Sequence, residues 1–421
     1  MASSSKAMRS LLNHRKFLRD RLICLPTFDR PDGICDFVFQ VARDLAHQNV
    51  VIILALGENW QGRSGWRKWY QVLGQLREID HTKIHKSVLY LGLVQFMPLQ
   101  RMGLFRNLNI WINLTLLNVV MSSSFNRTGK MLWIFHPHDS QALPYFQDSG
   151  WHLHYDVVDW HQSCLPDRQK RIETERLQLI KRADSITVLT TSVLNKIKQL
   201  TYKKIALVAQ GFDIDGFSVK KKLPQHLSEL MQRLKRRNKH LVGYFGGVSA
   251  RLDVDMLNSV IQRSPDIHFL FVGPRQQDES ATISADSERD IDKLLQLSNV
   301  SYYPAVQRNY LSQLMEQCSA LVLPYDMRYE FNQCCFPMKI MEYFYAEKPI
   351  VSTSIPSLKV YKGLIHFADS SISFASRLKE VVETSLSDLQ KQKARQIVLS
   401  QTWKAKLDSV DVYLGKMLRS S

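Results

Sequence analysis

Short apolar runs alternate with amphipathic stretches along most of the chain, and this alternation constrains the fold more than any other feature. The stretches between the runs, such as 36–48 and 173–182, place apolar residues at helical spacing. Strands that alternate with helices form parallel, doubly wound sheets. The predicted strands are Arg21–Leu25, Val50–Leu56, Lys130–Phe135, Leu153–Val158, Ser185–Leu189 and Ile205–Val208, followed by Leu241–Phe245, His268–Val272, Ser301–Tyr303, Ala320–Pro324, Ile350–Thr353 and Leu364–Phe367.

The alternation is interrupted once, by a basic and polar segment at 220–239 that we interpret as a linker bearing one helix. The 421 residues therefore divide into an N-terminal α/β domain at 19–219 and a C-terminal α/β domain at 240–400. A basic segment, 1–18, precedes them, and a helix within 401–421 is expected to pack back on the first domain. Ligands of open α/β sheets bind beyond the carboxyl ends of the strands, so we expect the site in a cleft between the domains.

Positive charge is concentrated in the first half of the chain. The net charge is +17, and residues 1–240 hold 36 Lys and Arg against 19 Asp and Glu, whereas residues 241–421 hold 20 of each. This asymmetry indicates an anionic partner for the N-terminal half, such as a membrane leaflet, a lipid phosphate or nucleic acid. A charged surface that only confers solubility is the alternative.

Cysteine usage and hydropathy bear on the compartment. The six cysteines have no C-x-x-C spacing, which argues against metal sites and disulfides and favours the reducing cytoplasm. No apolar run reaches the roughly 18 residues that span a bilayer, so any membrane contact is expected to be peripheral. We place that contact at 63–68 and 101–106, and interpret most of the apolar stretches Leu89–Met102 and Leu108–Met121 as core helix.

The segment from Phe336 to Thr353 predicts a helix that begins at Pro337 and leads through a turn into a strand. Proline suits the first helical position, which leaves the amides at this end free for an anion. Lys339 and Glu342 are three residues apart and share one face. They are candidates to hold a phosphate and a sugar hydroxyl, although a surface ion pair is an equal alternative.

Two glycine turns follow predicted strands of the second domain. Gly246 and Gly247 would let the backbone approach a diphosphate, and Arg251 would neutralise it. Arg275 follows the second turn at Gly273 and is either another ligand or a solvated loop residue.

Taken in order, these segments resemble the nucleotide-sugar-binding half of GT-B-fold retaining glycosyltransferases, the family 4-like group also called glycosyl transferases group 1. The motifs are Gly243–Asp253, Pro265–Pro274, Cys318–Tyr325 and Pro337–Thr353, and upstream Tyr155–Asp159, Glu175, Thr191–Ser192 and Gly211–Phe217 fit the same group. The resemblance runs from about residue 20 to 405. It implies two Rossmann-like domains facing across a cleft.

The resemblance implies a role for each matching residue. The donor diphosphate would lie at the second-domain glycine turn and at the helix that carries Lys339, the ribose at Glu342, and the base near Val306. The implied donor-binding residues are Gly246, Gly247, Arg251, Arg275, Val306, Asn332, Pro337, Met338, Lys339 and Glu342. Arg251 and Lys339 would also act in catalysis, because they stabilise the leaving diphosphate without a metal or other cofactor.

First-domain residues are expected to complete the cleft. Asp159 occupies the place where relatives carry a histidine, and His161 follows it; both are candidates for orienting the acceptor hydroxyl or the donor sugar, with a helix-capping aspartate as the alternative. Other candidates on the acceptor side are Asp32, Gly33, His136 and His138. His136 and His138 lack a third ligand at usual spacing, so we expect no metal.

The chain departs from the family pattern at one important position. Cys334 stands where relatives carry the first of two glutamates, Glu330 is out of register, and Asn332 is a candidate replacement.

The resemblance therefore implies a retaining transferase that moves a sugar from a nucleoside diphosphate-sugar to a glycan or lipid-linked acceptor, in polysaccharide or glycolipid synthesis at the cytosolic membrane face. A nucleotide-sugar 2-epimerase and a catalytically silent scaffold of the same fold are alternatives. Nucleic acid is not expected as a partner, and the oligomeric state is left open.

Overall fold

The computed structural model of the protein contains two α/β domains joined by a helical linker. It describes residues 17–28, 37–78, 88–95, 103–124, 129–146, 150–219, 221–237, 239–275 and 285–418.

The N-terminal domain is built on a parallel sheet of seven strands. They are β1 (Leu22–Thr27), β2 (Val50–Trp60), β3 (Val88–Val94), β4 (Lys130–Ile134), β5 (Trp151–Val157), β6 (Ser185–Val188) and β7 (Ile205–Leu207), arranged in the order β3-β2-β1-β4-β5-β6-β7. Strand β3 corrects the expectation of a helix at the start of Leu89–Met102. Its apolar run pairs with β2 at the sheet edge and is buried over its last four residues.

Helices cover both faces of this sheet. They are α1 (Phe37–Leu45), α2 (Gly62–Glu78), α3 (Gly103–Ser124), α4 (Pro166–Arg182) and α5 (Thr191–Lys198), with a 3₁₀ helix at Pro137–Tyr145, whereas the short helix α6 (Ile214–Ser218) packs on the C-terminal core. Neighbouring residues of β1 point to opposite faces: Leu22 packs in the cluster that contains α3 and α4, whereas Ile23 packs in the cluster that contains α1. The near-continuous apolar strands of the sequence are explained by this two-sided burial.

The C-terminal domain repeats the plan with six parallel strands. They are β8 (His240–Phe245), β9 (Ile267–Val272), β10 (Val300–Tyr303), β11 (Ala320–Leu323), β12 (Ile350–Ser352) and β13 (Ile365–Phe367), in the order β10-β9-β8-β11-β12-β13. The linker carries α7 (Gln225–Arg237). The remaining helices are α8 (Val254–Gln262), α9 (Ala285–Leu295), α10 (Arg308–Glu316), α11 (Glu330–Cys334), α12 (Lys339–Tyr345), α13 (Ser371–Val382), α14 (Asp388–Ser400) and α15 (Trp403–Leu418), with a 3₁₀ helix at Pro356–Tyr361.

The strand order reverses at β1 in the first sheet and at β8 in the second. Loops that follow neighbouring strands on the two sides of such a point diverge and leave a crevice at the carboxyl edge. The crevices are therefore expected between the loops after β8 and β11 in the second sheet, and between those after β1 and β4 in the first.

Helix α15 returns to the N-terminal domain. The Trp403 indole donates to Gln40 Oε1 at 2.7 Å, and the buried Lys406 ammonium lies 2.8 Å from Asp156 Oδ2 and 2.9 Å from Gln210 Oε1. A buried charge is tolerated only when it is paired in this way.

No helix in the described part of the chain is both long and apolar enough to cross a membrane.

Candidate active site

Two glycine turns pack backbone against backbone at the carboxyl edge of the second sheet. Gly246 follows β8 with φ 145° and Gly273 follows β9 with φ 152°. The Gly246 amide donates to Val272 O at 2.8 Å, and a Cβ added to Gly273 would lie 2.1 Å from Gly246 O. Side chains are excluded at both positions, so the backbone itself forms the surface at this point.

Lys339 covers the first of these turns. Its ammonium donates to the Tyr244 hydroxyl at 2.8 Å and lies 4.2 Å from the centre of the Tyr244 ring, and a Cβ on Gly246 would come within 2.2 Å of it. Burial lowers the pKa of Lys339 to about 7; the positive charge of Arg251 acts in the same direction, and Glu342 opposes it. No carboxylate of the described residues lies within 4 Å of this ammonium.

The helix that carries Lys339 begins later than the sequence predicts. Helix α12 starts at Lys339, Met338 is its N-cap without a side-chain bond, and the carbonyl of Pro337 accepts from the Ile340 amide at 3.0 Å. The prediction that the helix begins at Pro337 is therefore wrong by two residues, because 337–340 form a tighter turn that precedes regular α-helical bonding. The correction leaves Lys339 in the first helical turn.

Glu342 has a partner that the sequence did not indicate. Arg308, in the first turn of α10, lies 3.7 Å from Glu342 Oε1 and 3.3 Å from Asp213 Oδ2. Burial raises the pKa of Glu342, whereas Arg308 and Lys339 act to lower it. Val306 lies just before α10 and packs, half-buried, against the C-terminal core. Arg308 thus contacts the predicted ribose residue and follows the predicted base residue by two positions in the sequence.

Arg251 and Asn332 are joined in the structure. The Arg251 Nε donates to Asn332 Oδ1 at 3.0 Å, and the Asn332 amide donates to the carbonyls of Arg251 and Asp326. The Arg251 guanidinium lies 4.0 Å from the centre of the Phe331 ring. Asn332 is fully buried, so its observed role is to fix the loop and the guanidinium of Arg251.

Arg275 follows the Gly273 turn, and Gly247 is the second residue of the Gly246 turn. Arg275 donates to Glu288 at 2.7 Å and to Asp292 at 3.1 Å, both on α9, so two carboxylates already offset its charge. The carbonyl of Gly247 accepts from the Tyr244 hydroxyl at 2.9 Å, which holds the Gly246–Gly247 turn beneath Lys339.

The N-terminal domain contributes a histidine pair. His136 Nδ1 and His161 Nε2 are 2.6 Å apart, which joins the end of β4 to the loop after β5. The pKa of His161 is lowered well below its usual range by burial and by the positive charges of His136, Arg176 and Arg251, so this imidazole is neutral near pH 7. Asp159 is half-buried in the same loop, and its charge contributes to raising the pKa of Tyr325 in the C-terminal domain, where burial is the main cause.

Arg176, on α4, holds this loop in place and was not indicated by the sequence. Its guanidinium lies 3.8 Å from the centre of the Trp160 ring and donates to the carbonyl of His161. The side chain is 3% exposed. Such a stacked and hydrogen-bonded arginine fixes the backbone that presents Asp159 and His161.

His138 is not part of the histidine pair. It lies on the 3₁₀ helix after β4, is exposed, and contacts Glu175 of α4 at 3.7 Å. Residues two positions apart on such a helix point in different directions, so His136 and His138 diverge. Asp32 and Gly33 lie outside the described residues. Among those that are described, no group of three His, Cys, Asp or Glu is arranged to hold a metal.

The segment in which the family glutamate was expected joins the two domains instead. The carbonyl of Cys334 accepts from the Thr190 hydroxyl at 2.8 Å, and the Glu330 carboxylate pairs with Lys196 and accepts from Gln162. Burial raises the pKa of the Cys334 thiol to about 11. Helix α11 is thus docked on the N-terminal domain beside Trp160 and His161.

Two Rossmann-like domains with a basic, glycine-lined cleft define the class of protein: this is the GT-B fold, as the sequence predicts. Residues 239–384 match the family model described as glycosyl transferases group 1. The chain is 28% identical over 255 residues to the putative teichuronic acid biosynthesis glycosyltransferase TuaH of Bacillus subtilis (strain 168). That match covers 59% of this chain and 61% of the relative, so the chain spans less than two thirds of the relative's length.

Solved structures confirm the fold over nearly the whole chain. HepE of Anabaena, in complex with UDP and glucose, superposes with a TM-score of 0.60 at 15% identity, covering 95% of this chain and 100% of that one. Sucrose-phosphate synthase from Thermosynechococcus elongatus superposes with a TM-score of 0.62 at 13% identity, covering 95% and 98%. The GT-B fold that the sequence motifs predict is therefore confirmed.

Proposed function

We propose that this protein transfers a sugar from a nucleoside diphosphate-sugar to a glycan or lipid-linked acceptor, with retention of the anomeric configuration and without a metal. One observation carries the proposal: the Lys339 ammonium covers the Gly246 turn at the carboxyl edge of the second sheet, with Arg251 near and no carboxylate of the described residues within 4 Å. Converging positive groups beside an exposed backbone turn suit a diphosphate.

The positions of the charged residues suggest how the sugar transfer is catalysed. As the bond between sugar and diphosphate breaks, negative charge grows on the leaving group, and Lys339 and Arg251 would stabilise it from fixed positions. Glu342 would accept hydrogen bonds from the ribose hydroxyls. The neutral His161, held by His136 and by the Arg176-bound loop, would contact a sugar hydroxyl from the N-terminal side. Retention is supported by the family resemblance of the motifs.

The acceptor side is proposed to work at an anionic membrane surface. Helices α2 and α3 pack together and expose Trp66, Tyr70 and Trp111, which are 43%, 72% and 51% accessible. Arg63 and Arg67 are exposed on α2. Aromatic side chains beside basic ones are typical of surfaces that bind a leaflet without crossing it. Cytoplasmic location and a role in cell-surface polysaccharide synthesis, the process named for the Bacillus relative, belong to the same proposal.

Nucleotide release from a panel of nucleotide sugars tests the activity, with and without a membrane extract as acceptor. We expect one donor to be consumed, and consumption to be lost in Lys339→Met but kept in Lys379→Met, which alters an exposed lysine on α13. Conversion of a donor to its epimer without nucleotide release would indicate an epimerase. Failure of every donor to bind or react would contradict the proposal.

A silent scaffold of the same fold is the second candidate. Cys334 supplies a buried thiol, rather than a carboxylate, next to the cleft, and Glu330 is already paired with Lys196. In that case Lys339→Met and Glu342→Gln would leave the biological role of the protein unchanged.

A further inference from the structure

A large cavity lies on the C-terminal domain, away from the cleft. Its volume is about 960 Å³, and its lining includes Ser319 and Pro349, the residues immediately before β11 and β12. The glycine turns follow β8 and β9 in the same parallel sheet. The cavity is therefore at the amino edge of the sheet and the turns are at the carboxyl edge, separated by the length of the strands, which is about 10–20 Å.

Basic side chains from three separate elements line this cavity. Lys235 comes from α7, Lys348 from the turn after α12, and Lys391 and Arg395 from α14. Because these elements are distant in the sequence, the cluster is a product of the fold and was not visible as a run of charge.

Two of the carboxylates that line the cavity are already engaged. Glu347 accepts from Arg395 through both of its oxygens, and Glu383 pairs with Lys239 at 2.5 Å and with His240 at 3.1 Å. Within the described residues, no carboxylate lies within 4 Å of the Lys235 or Lys348 ammonium, and Lys391 has only a 3.9 Å contact with Asp388. The charges of Lys235, Lys348 and Lys391 are thus only weakly neutralised by carboxylates.

Lys348 is half-buried in the cavity, and its pKa reports the charges of the other two lysines. Burial lowers the pKa of Lys348, and the charges of Lys235 and Lys391 contribute in the same direction, while Glu316 acts against them. The exposed Leu399 and the half-buried Ile214 supply apolar surface to the lining. Like charges around a concave surface of this size attract an anion, whose binding relieves their repulsion. The volume is that of small-molecule sites.

We propose that this cavity binds a small anionic saccharide, bearing a phosphate or a carboxylate, through Lys235, Lys348 and Lys391. The anionic group lies among the three ammonium groups, and the apolar lining at Leu399 contacts the sugar ring. The site is independent of the proposed transfer reaction, because none of these residues belongs to the cleft.

The cavity also touches the helix that carries the donor-site residues. Helix α12 begins at Lys339, and the turn that ends it contains Glu347, in a left-handed conformation with φ 53°, and Lys348. A ligand held by Lys348 therefore contacts the opposite end of the helix from Lys339.

Isothermal titration with glucose 1-phosphate and with glucuronate tests the proposal, and the two probes distinguish a phosphate from a carboxylate ligand. We expect one probe to bind, and Lys348→Gln/Lys391→Gln to weaken it by about tenfold or more, the loss expected for two charged contacts. Lys393→Gln, an exposed lysine on α14 outside the cavity, and Lys339→Met should bind as the wild type does.

The double variant removes charge repulsion among the lysines, so we expect its melting temperature to be no lower than that of the wild type. A loss of binding can therefore be attributed to the two lysines and not to unfolding. Equal affinity in the double variant and the wild type would overturn the proposal, and so would binding of neither probe. Loss of binding only in Lys339→Met would place the probe in the cleft and also overturn it, while leaving the transfer reaction untouched.

Discussion

Lys339 gives the sharpest prediction, because its pKa lies within the ordinary working range of pH. In the free protein, burial and Arg251 bring the pKa of this lysine to about 7. A bound diphosphate beside it would restore a value near that of an exposed lysine, about 10.4. Donor binding is therefore coupled to proton uptake between about pH 7 and about pH 10.

The expected change in the donor Kd follows from the pKa values of Lys339 in the free and the bound protein. About 90% of the lysines carry a proton at pH 6 and about 10% at pH 8, so the Kd for a nucleotide sugar should rise roughly tenfold across this interval, or about 1.4 kcal/mol. The phosphates of a nucleotide sugar stay fully ionised over the same interval and contribute no slope. Titration calorimetry at four pH values measures the Kd.

Lys339→Met provides the comparison. It should bind the donor more weakly and without this dependence on pH, whereas Lys379→Met should behave as the wild type. A wild-type Kd that stays constant from pH 6 to pH 8, or the same slope in Lys339→Met, would refute the reasoning.

The lowered pKa of Lys339 also makes the stability of the free protein depend on pH. Raising the pH weakens donor binding but increases this stability. The unfolded chain keeps the Lys339 proton up to about pH 10, whereas the folded protein loses it near pH 7, so the unfolded state binds more protons between these values. Stability due to this group therefore rises with pH across that window. Lys339→Met should melt above the wild type at pH 6, with a difference that shrinks toward pH 9; a constant difference would count against the assigned pKa.

Three further perturbations test other parts of the structure. Gly246→Ala should cost about 1–3 kcal/mol of stability and abolish donor binding, because alanine is strained at φ 145° and its Cβ displaces Lys339; denaturant unfolding and calorimetry measure both. Lys406→Ala should cost about 3–5 kcal/mol in the same unfolding assay, since it leaves Asp156 buried without its cationic partner, whereas Lys406→Met/Asp156→Leu should recover most of that loss. Glu330→Lys places like charges between the domains and should increase the radius of gyration in solution scattering; an unchanged radius would show that this contact does not hold the two domains together.

The sequence predicted the architecture well because two-sided burial leaves a strong pattern. Twelve of the thirteen strands overlap apolar runs that were predicted as strands, and only β3 was interpreted as helix. An apolar run of seven residues has no periodicity that separates a buried strand from a buried helix. Pairing with β2 decides between them, and pairing is a long-range property.

The candidate site was predictable only where its residues are neighbours in the sequence. Lys339 and Glu342 were recognisable by their spacing on one helix, and Gly246 by its position after a strand. Arg308 could not be assigned to Glu342, because the two are brought together by the packing of α10 against α12. The same holds for Arg176 beneath the His161 loop, since a buried arginine on an otherwise polar helix has no distinctive pattern.

A crystal structure with a bound nucleotide sugar tests the central claim most directly. The diphosphate should lie about 3 Å from Lys339 Nζ and beside the Gly246–Gly247 turn, with the ribose hydroxyls at Glu342. A diphosphate bound elsewhere, with Lys339 still donating only to Tyr244, would contradict the assignment of this cleft as the donor site.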